Sequence, residues 1–146
     1  MHNKLYYAYL FMKRQEAREQ AFLLVFENSF KNDTLEEIIN SANLARDIEI
    51  CDYAIDVFNG VKENSLTIDK YIEENAVGWK KDRISKVALA VLRVSVYEML
   101  YKDDIPVAVS INEAVNLAKK YSIKDEASFI NGVLGSISKK IEGKNV

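Results

Sequence analysis

Lys13, Arg14 and Arg18 open the first stretch of helical periodicity, and Arg14 and Arg18 lie one turn apart on a shared face. Guanidinium forks at that spacing suit phosphates, giving an affinity that falls with salt as counterions are released. Against this stand Glu16 and Glu19, and cations near a helix N-terminus oppose its macrodipole. Placing positive charge where it costs stability hints at use, while a plain solvated surface is the simpler reading of these residues taken alone. Other chemistry finds little support. One histidine, His2, and one cysteine, Cys51, make a metal site or a Cys/His pair untenable and allow no internal disulfide, which fits a reducing compartment. Acidic neighbours such as Glu36/Glu37 and Glu73/Glu74 point to different helix sides and make poor acid–base pairs. No Gly-rich phosphate loop or nucleophile elbow is present. The expectation is a non-enzyme without cofactor.

Composition and charge frame this reading. The chain has 146 residues, 49% of them hydrophobic, enough for one full-sized core. Its apolar runs fall short of the roughly 20 residues a bilayer span needs, so a soluble, cytoplasmic protein is expected. A net charge of −2 argues against a general nucleic-acid binder but conceals local asymmetry. Glu27, Asp33, Glu36, Glu37, Asp47, Glu49, Asp52 and Asp56 face only Lys31 and Arg46. Lys119, Lys120, Lys124, Lys139, Lys140 and Lys144 outnumber Asp125, Glu126 and Glu142, and Lys80, Lys81, Arg83 and Lys86 form a further cluster. Such separation can set a basic footprint on one face, or be no more than solvated helix surface and a lysine tail.

The elements that must position these residues are all helical. Ala17, Ala21, Leu24, Val25 and Asn28 predict a first helix from about Lys13 to Glu27. Thr34 and Glu37 form a capping box for a short second one. A stripe of Ile50, Tyr53, Ala54, Val57, Val61, Ser65, Ile68 and Ile72 predicts one long third helix from about Ile48, bent if anywhere at Gly60. Trp79 is expected to seal a junction over 75–81. The segment from Ile84 to Lys102 is apolar on every face and must be surrounded, which makes it the centre of a bundle. Within it Arg93 and Glu98 must each reach the surface or a polar partner. Pro106 separates it from a helix that Ser110 and Glu113 would open as a second capping box, with Asn112 beside them as a helix-start residue. Asp125 is the expected N-cap of a last helix carrying Phe129, Val133, Ile137 and Ile141 on one face. Gly132 and Gly135 there suggest close approach of a neighbour or ligand. Tyr53, Tyr71, Tyr97, Tyr101 and Tyr121 read as ordinary half-buried aromatics.

Several of these segments resemble the NusB family of transcription antitermination factors. They are Lys13-Arg-Gln-Glu-Ala-Arg-Glu-Gln-Ala21, Val91-Leu-Arg-Val-Ser-Val-Tyr-Glu-Met99, the run from Ile105 through Ser110-Ile-Asn-Glu-Ala114 to Lys119, and Phe129-Ile-Asn-Gly-Val-Leu134. The resemblance runs from Met12 to about Ile141. It implies an all-α bundle of about seven helices in two subdomains, 12–78 and 79–146, forming together one NusB-like domain. Met12 is then the expected initiator, with residues 1–11 a non-native extension; the rival reading is an authentic extension that packs its aromatics on the bundle. The implied function is to pair with the ribosomal protein also called NusE and to bind boxA RNA of ribosomal RNA operons within the RNA polymerase antitermination complex. Carried over by position, Lys13, Arg14, Arg18, Lys119 and Lys120 would meet the RNA backbone, Phe129 would offer a ring to a base, and Asn131 would read a base edge or ribose. Asp125 would weaken RNA binding by its charge. Asp82, Val87 and Arg93 would face NusE, and a homodimer is also compatible. Gln15 and Glu16 stand where the family often has basic residues. The alternatives are the RNA-targeting domain of a ribosomal RNA methyltransferase, which would require a truncated product, and a helical protein-binding adaptor without RNA specificity.

Overall fold

The computed structural model describes residues 4–30, 37, 50–78 and 83–144, with side chains from residue 13 to residue 143. Six helices are described: α1 (Lys4–Asn28), α2 (Asp52–Glu63), α3 (Ser65–Asn75), α4 (Lys86–Tyr101), α5 (Val107–Tyr121) and α6 (Ala127–Lys144). The seventh expected helix, opened by Thr34, lies outside the described residues apart from helical Glu37. Trp79 and Asp82 also lie outside them.

α4 holds the centre. Ser85 caps it, its hydroxyl accepting from the Ala88 N–H at 3.0 Å. Nearly every residue from Ala88 to Met99 is then buried, and α4 packs against all five other described helices. The all-round apolar sequence thus has the surroundings it requires. α1 lies on α2 and α4, α3 lies on α4 and α6, and α5 pairs with α6.

Three boundaries differ from expectation. α1 begins at Lys4, well before Lys13. The long third helix is two helices, divided at Asn64 and not at Gly60. Both the backbone N–H and the side-chain amide of Asn64 donate to the Gly60 carbonyl, at 3.0 and 2.8 Å, and its φ of −110° and ψ of 20° redirect the chain. The apolar stripe survives the turn, since Ala54, Val57, Val61, Ile68 and Ile72 are all buried. Gly60 serves a different purpose: a Cβ there would lie 2.2 Å from the Tyr97 ring, so its lack of a side chain lets α2 and α4 meet. At Gly132 and Gly135, where close approach was expected, a Cβ would meet nothing within 4 Å.

The third difference concerns caps. α5 opens at Val107 behind Pro106, whose φ of −58° suits a helix start. Ser110 and Glu113 are therefore inside the helix, and both are buried. α6 opens at Ala127, and its Ile130 N–H bonds to the Glu126 carbonyl at 3.0 Å. Glu126, not Asp125, immediately precedes it. The Glu126 carboxylate accepts from Ser85 and Ser122, which joins the starts of α4 and α6.

Candidate nucleic-acid interface

All the expected RNA residues but Arg18 and Phe129 fall on two features, a seam between α1 and α5 and a groove between α5 and α6. Three polar contacts close the seam. Arg14 Nη1 reaches Asp104 Oδ2 at 3.3 Å, Gln15 Nε2 donates to Glu113 Oε1 at 3.0 Å, and Lys120 Nζ donates to Glu19 Oε1 at 2.7 Å. The Tyr121 hydroxyl also donates to Glu19, and its ring packs 5.0 Å from that of Phe22. Burial alone would raise the Glu19 carboxyl, but the hydrogen bonds from Lys120 and Tyr121 and the Lys120 charge outweigh it and hold Glu19 below its usual value. The same contact raises the Lys120 ammonium. Lys13 is exposed at the outer end, and Arg14 also sits 5.7 Å over the Tyr53 ring.

Arg18 departs from the predicted pattern. Although it shares a helical face with Arg14, that face passes beneath α4 one turn later, leaving Arg18 only 3% exposed. Its Nε donates to both oxygens of Glu98 at 2.9 and 3.0 Å, and Nη1 stands 4.0 Å from Glu113. Fully buried Glu98 also accepts from the Tyr53 hydroxyl and, at 3.3 Å, from Ser110. Burial, then the charge and hydrogen bond of Glu98, push the Tyr53 phenol well up and keep it a neutral donor. So Arg18 offers no surface to a phosphate, and Tyr53 is more than a half-buried aromatic. The two tie α1, α2, α4 and α5 around one carboxylate. Buried charges demand such satisfaction, as expected for Glu98. The expectation for Arg93 also holds: it forms a two-pronged pair with Asp69 of α3 at 2.9 and 3.0 Å.

On the other side of α5, an open groove of about 630 Å³ is lined by Ala108, Ile111, Asn112, Val115, Lys119, Asp125, Ala127, Ser128 and Asn131. Asn131, Lys119 and Asp125 are thus brought together as the sequence reading required. Asn112 joins them and is not a helix-start residue. An apolar floor with amides and hydroxyls at the rim can receive a flat base and hydrogen-bond its edge. Phe129 lies outside this lining, half-buried and packed on the core. Sequence reasoning missed Asp104, which lies 90 residues from Arg14 and gave no signal, and Ser128, which only its spacing of one helical turn from Asn131 could have signalled; Glu19 and Gln15 were noted, but not their partners across the seam. Of the expected NusE-facing residues, Val87 is half-buried and Arg93 borders a second cavity of about 300 Å³ with Val25, Asn28 and Phe58. Among the described residues no group of side chains could hold a metal, and no helix is long and apolar enough to cross a membrane.

Comparison with known proteins agrees with this architecture. The model of the NusB family matches residues 15–139. The transcription antitermination protein NusB of Acetivibrio thermocellus is 47% identical over 130 residues, covering 88% of this chain and 90% of that protein. That of Clostridium novyi is 42% identical, covering 88% and 99%. Among solved structures, T. maritima NusB superposes with a TM-score of 0.76 at 31% identity, covering 91% of this chain and 97% of the other. A chain from the crystal structure of antitermination factors NusB and NusE in complex with dsRNA gives 0.77 at 26% identity, covering 87% and 96%. A match of this length, on an all-helical fold, has one reading: the chain belongs to the NusB family.

Proposed function

We propose that this protein is an RNA-binding transcription antitermination factor that pairs with NusE and binds boxA RNA of ribosomal RNA operons on elongating polymerase. The observation that carries the reading is that α5 bears the seam with exposed Arg14 and Lys120 on one side and the groove with Lys119 and Asn131 on the other, the successive residues Lys119 and Lys120 linking the two. The cations meet backbone phosphates, and the groove receives an unstacked base whose edge Asn131 and Asn112 read. Phe129, half-buried against the core, holds α6 in place beside the groove. Arg18 acts from below by fixing α1. The names borne by the relatives support the activity, and the solved NusB–NusE assembly with RNA supports the partners.

NusE docks on a different face, around Val87 and Arg93. Two separated contact surfaces raise the avidity of the joint complex above that of either contact alone. A homodimer through the RNA face would compete with RNA, so self-association and RNA binding should exclude one another.

Fluorescence anisotropy of a short boxA RNA tests the reading, with this protein alone and with NusE, across a salt series. Selective binding over a scrambled RNA, tightened by NusE and weakened by salt, is the expected result. NusE binding without RNA selectivity would instead leave a protein adaptor.

A further inference from the structure

Both ends of the α1–α5 seam share a feature that RNA binding does not require. At one end Arg14, 46% exposed, is held by Asp104, 67% exposed, in the turn before α5. At the other Lys120, 61% exposed, is held by Glu19 on α1. Neither carboxylate belongs to the buried network around Glu98, and the Asp104 turn contributes no apolar side chain through that residue. Each is nevertheless set against a cation on the RNA-facing edge. From these two pairs we infer that Asp104 and Glu19 are built-in competitors for RNA: each occupies a cation that phosphate must win, and so limits RNA affinity from within the chain. The inference rests on the RNA-facing reading of Arg14 and Lys120.

The physics gives a bounded effect. A phosphate arriving at Arg14 meets a neutral ion pair in place of a bare guanidinium. It must separate the pair or accept the repulsion of the carboxylate beside it. Exposed ion pairs are weak, holding their partners by a factor of roughly 1.5 to 5. Removing one carboxylate should therefore tighten RNA binding by about two- to five-fold at low ionic strength, with the gain shrinking as salt screens the site. Asp125 was expected to act by repulsion alone. Asp104 and Glu19 act through the cation they hold, so their effect disappears when that cation is gone. A factor that must leave its RNA as well as bind it gains faster release from such competition.

The experiment is anisotropy of a fluorescein-labelled boxA RNA with D104N, E19Q, R14Q, K120Q and the doubles R14Q/D104N and K120Q/E19Q. E73Q, at an exposed glutamate of α3 away from the seam, controls for lost negative charge in general. Thermal melts confirm the fold of each variant, and D104N, at an exposed turn, carries the test if E19Q disturbs packing. The expected result is that D104N and E19Q each tighten binding beyond E73Q, and that neither change helps once its cation is removed. If R14Q and K120Q weaken binding but D104N and E19Q gain no more than E73Q, the inference is overturned and the RNA face stands. If R14Q and K120Q leave RNA binding unchanged, the RNA-facing reading falls and takes the inference with it.

Discussion

Glu98 is the side chain on which most of the site's geometry depends. Three donors from three other helices make four hydrogen bonds to a carboxylate with no exposure, the Arg18 Nε–H reaching both oxygens. Replacing Arg18 by Met removes the charge that balances it. We expect R18M to lose about 3–5 kcal/mol of stability in urea titration, as for other uncompensated buried charges. Y53F removes one donor while leaving the ion pair, so a loss of about 1–2 kcal/mol is expected. Nη2 of Arg18 is buried without a hydrogen-bond partner among the described residues, which lowers what the pair itself contributes to stability. The sequence showed that Glu98 needed a partner but not which one, because Arg18 is 80 residues away and periodicity says nothing about distant pairing. It also placed Arg18 beside Arg14 correctly by angle, yet could not tell where along α1 the covering helices begin.

The Glu19–Lys120 pair has a pH signature of its own. Glu19 is held below its ordinary value of 4.5, so its contribution is fully present above that value and is lost as pH falls through the lower folded value. Lys120 is held above its ordinary 10.5, so its share persists below 10.5 and is lost only at still higher pH. The melting difference between wild type and E19Q should therefore stay level through the neutral range and shrink below pH 4.5. A difference that grows on acidification would contradict the pairing.

At the scale of elements, the joint between α2 and α3 shows where sequence patterning succeeds and where it stops. The stripe from Ala54 to Ile72 correctly named the buried face, because burial follows from side-chain type and angular position. The break at Asn64 was missed because its cause is a single amide competing for a backbone carbonyl, which leaves the stripe unchanged. Gly60 was seen as a point of weakness, but its partner Tyr97 lies on another helix and only packing reveals it. G60A should force the Tyr97 ring or the α2–α4 spacing to move and cost about 1–3 kcal/mol. Paired with Y97A, which opens the space, much of that added cost should disappear in a double-mutant cycle. Pro106 was read correctly as a divider, whereas the Ser110–Glu113 spacing imitated a cap while both side chains turned inward to Glu98 and Gln15.

At the scale of the whole molecule, the all-α class and the central place of α4 were legible because an all-round apolar helix admits no other solution. The position of the candidate RNA face was not, since it depends on which sides of α1, α5 and α6 end up adjacent. That adjacency is set by the core. Charge follows from it: Lys120 comes beside the α1 helix that bears Lys13 and Arg14 only after folding, so a net charge of −2 is a poor guide to what that edge attracts.

The central helix has a consequence for how the chain comes to be folded at all. α1, α2 and α3 all rest on α4, and the carboxylate that fixes Arg18 arrives only with Glu98. During synthesis the first half therefore emerges with apolar faces that α1 and α2 cover only in part and an arginine without its carboxylate, and must wait for the second half to complete both. Residues 12–78 expressed alone should be protease-sensitive and without a cooperative melt, while mixing them with residues 79–146 should restore both protection and RNA binding. A stable, independently melting 12–78 fragment would show that the first half needs no such completion.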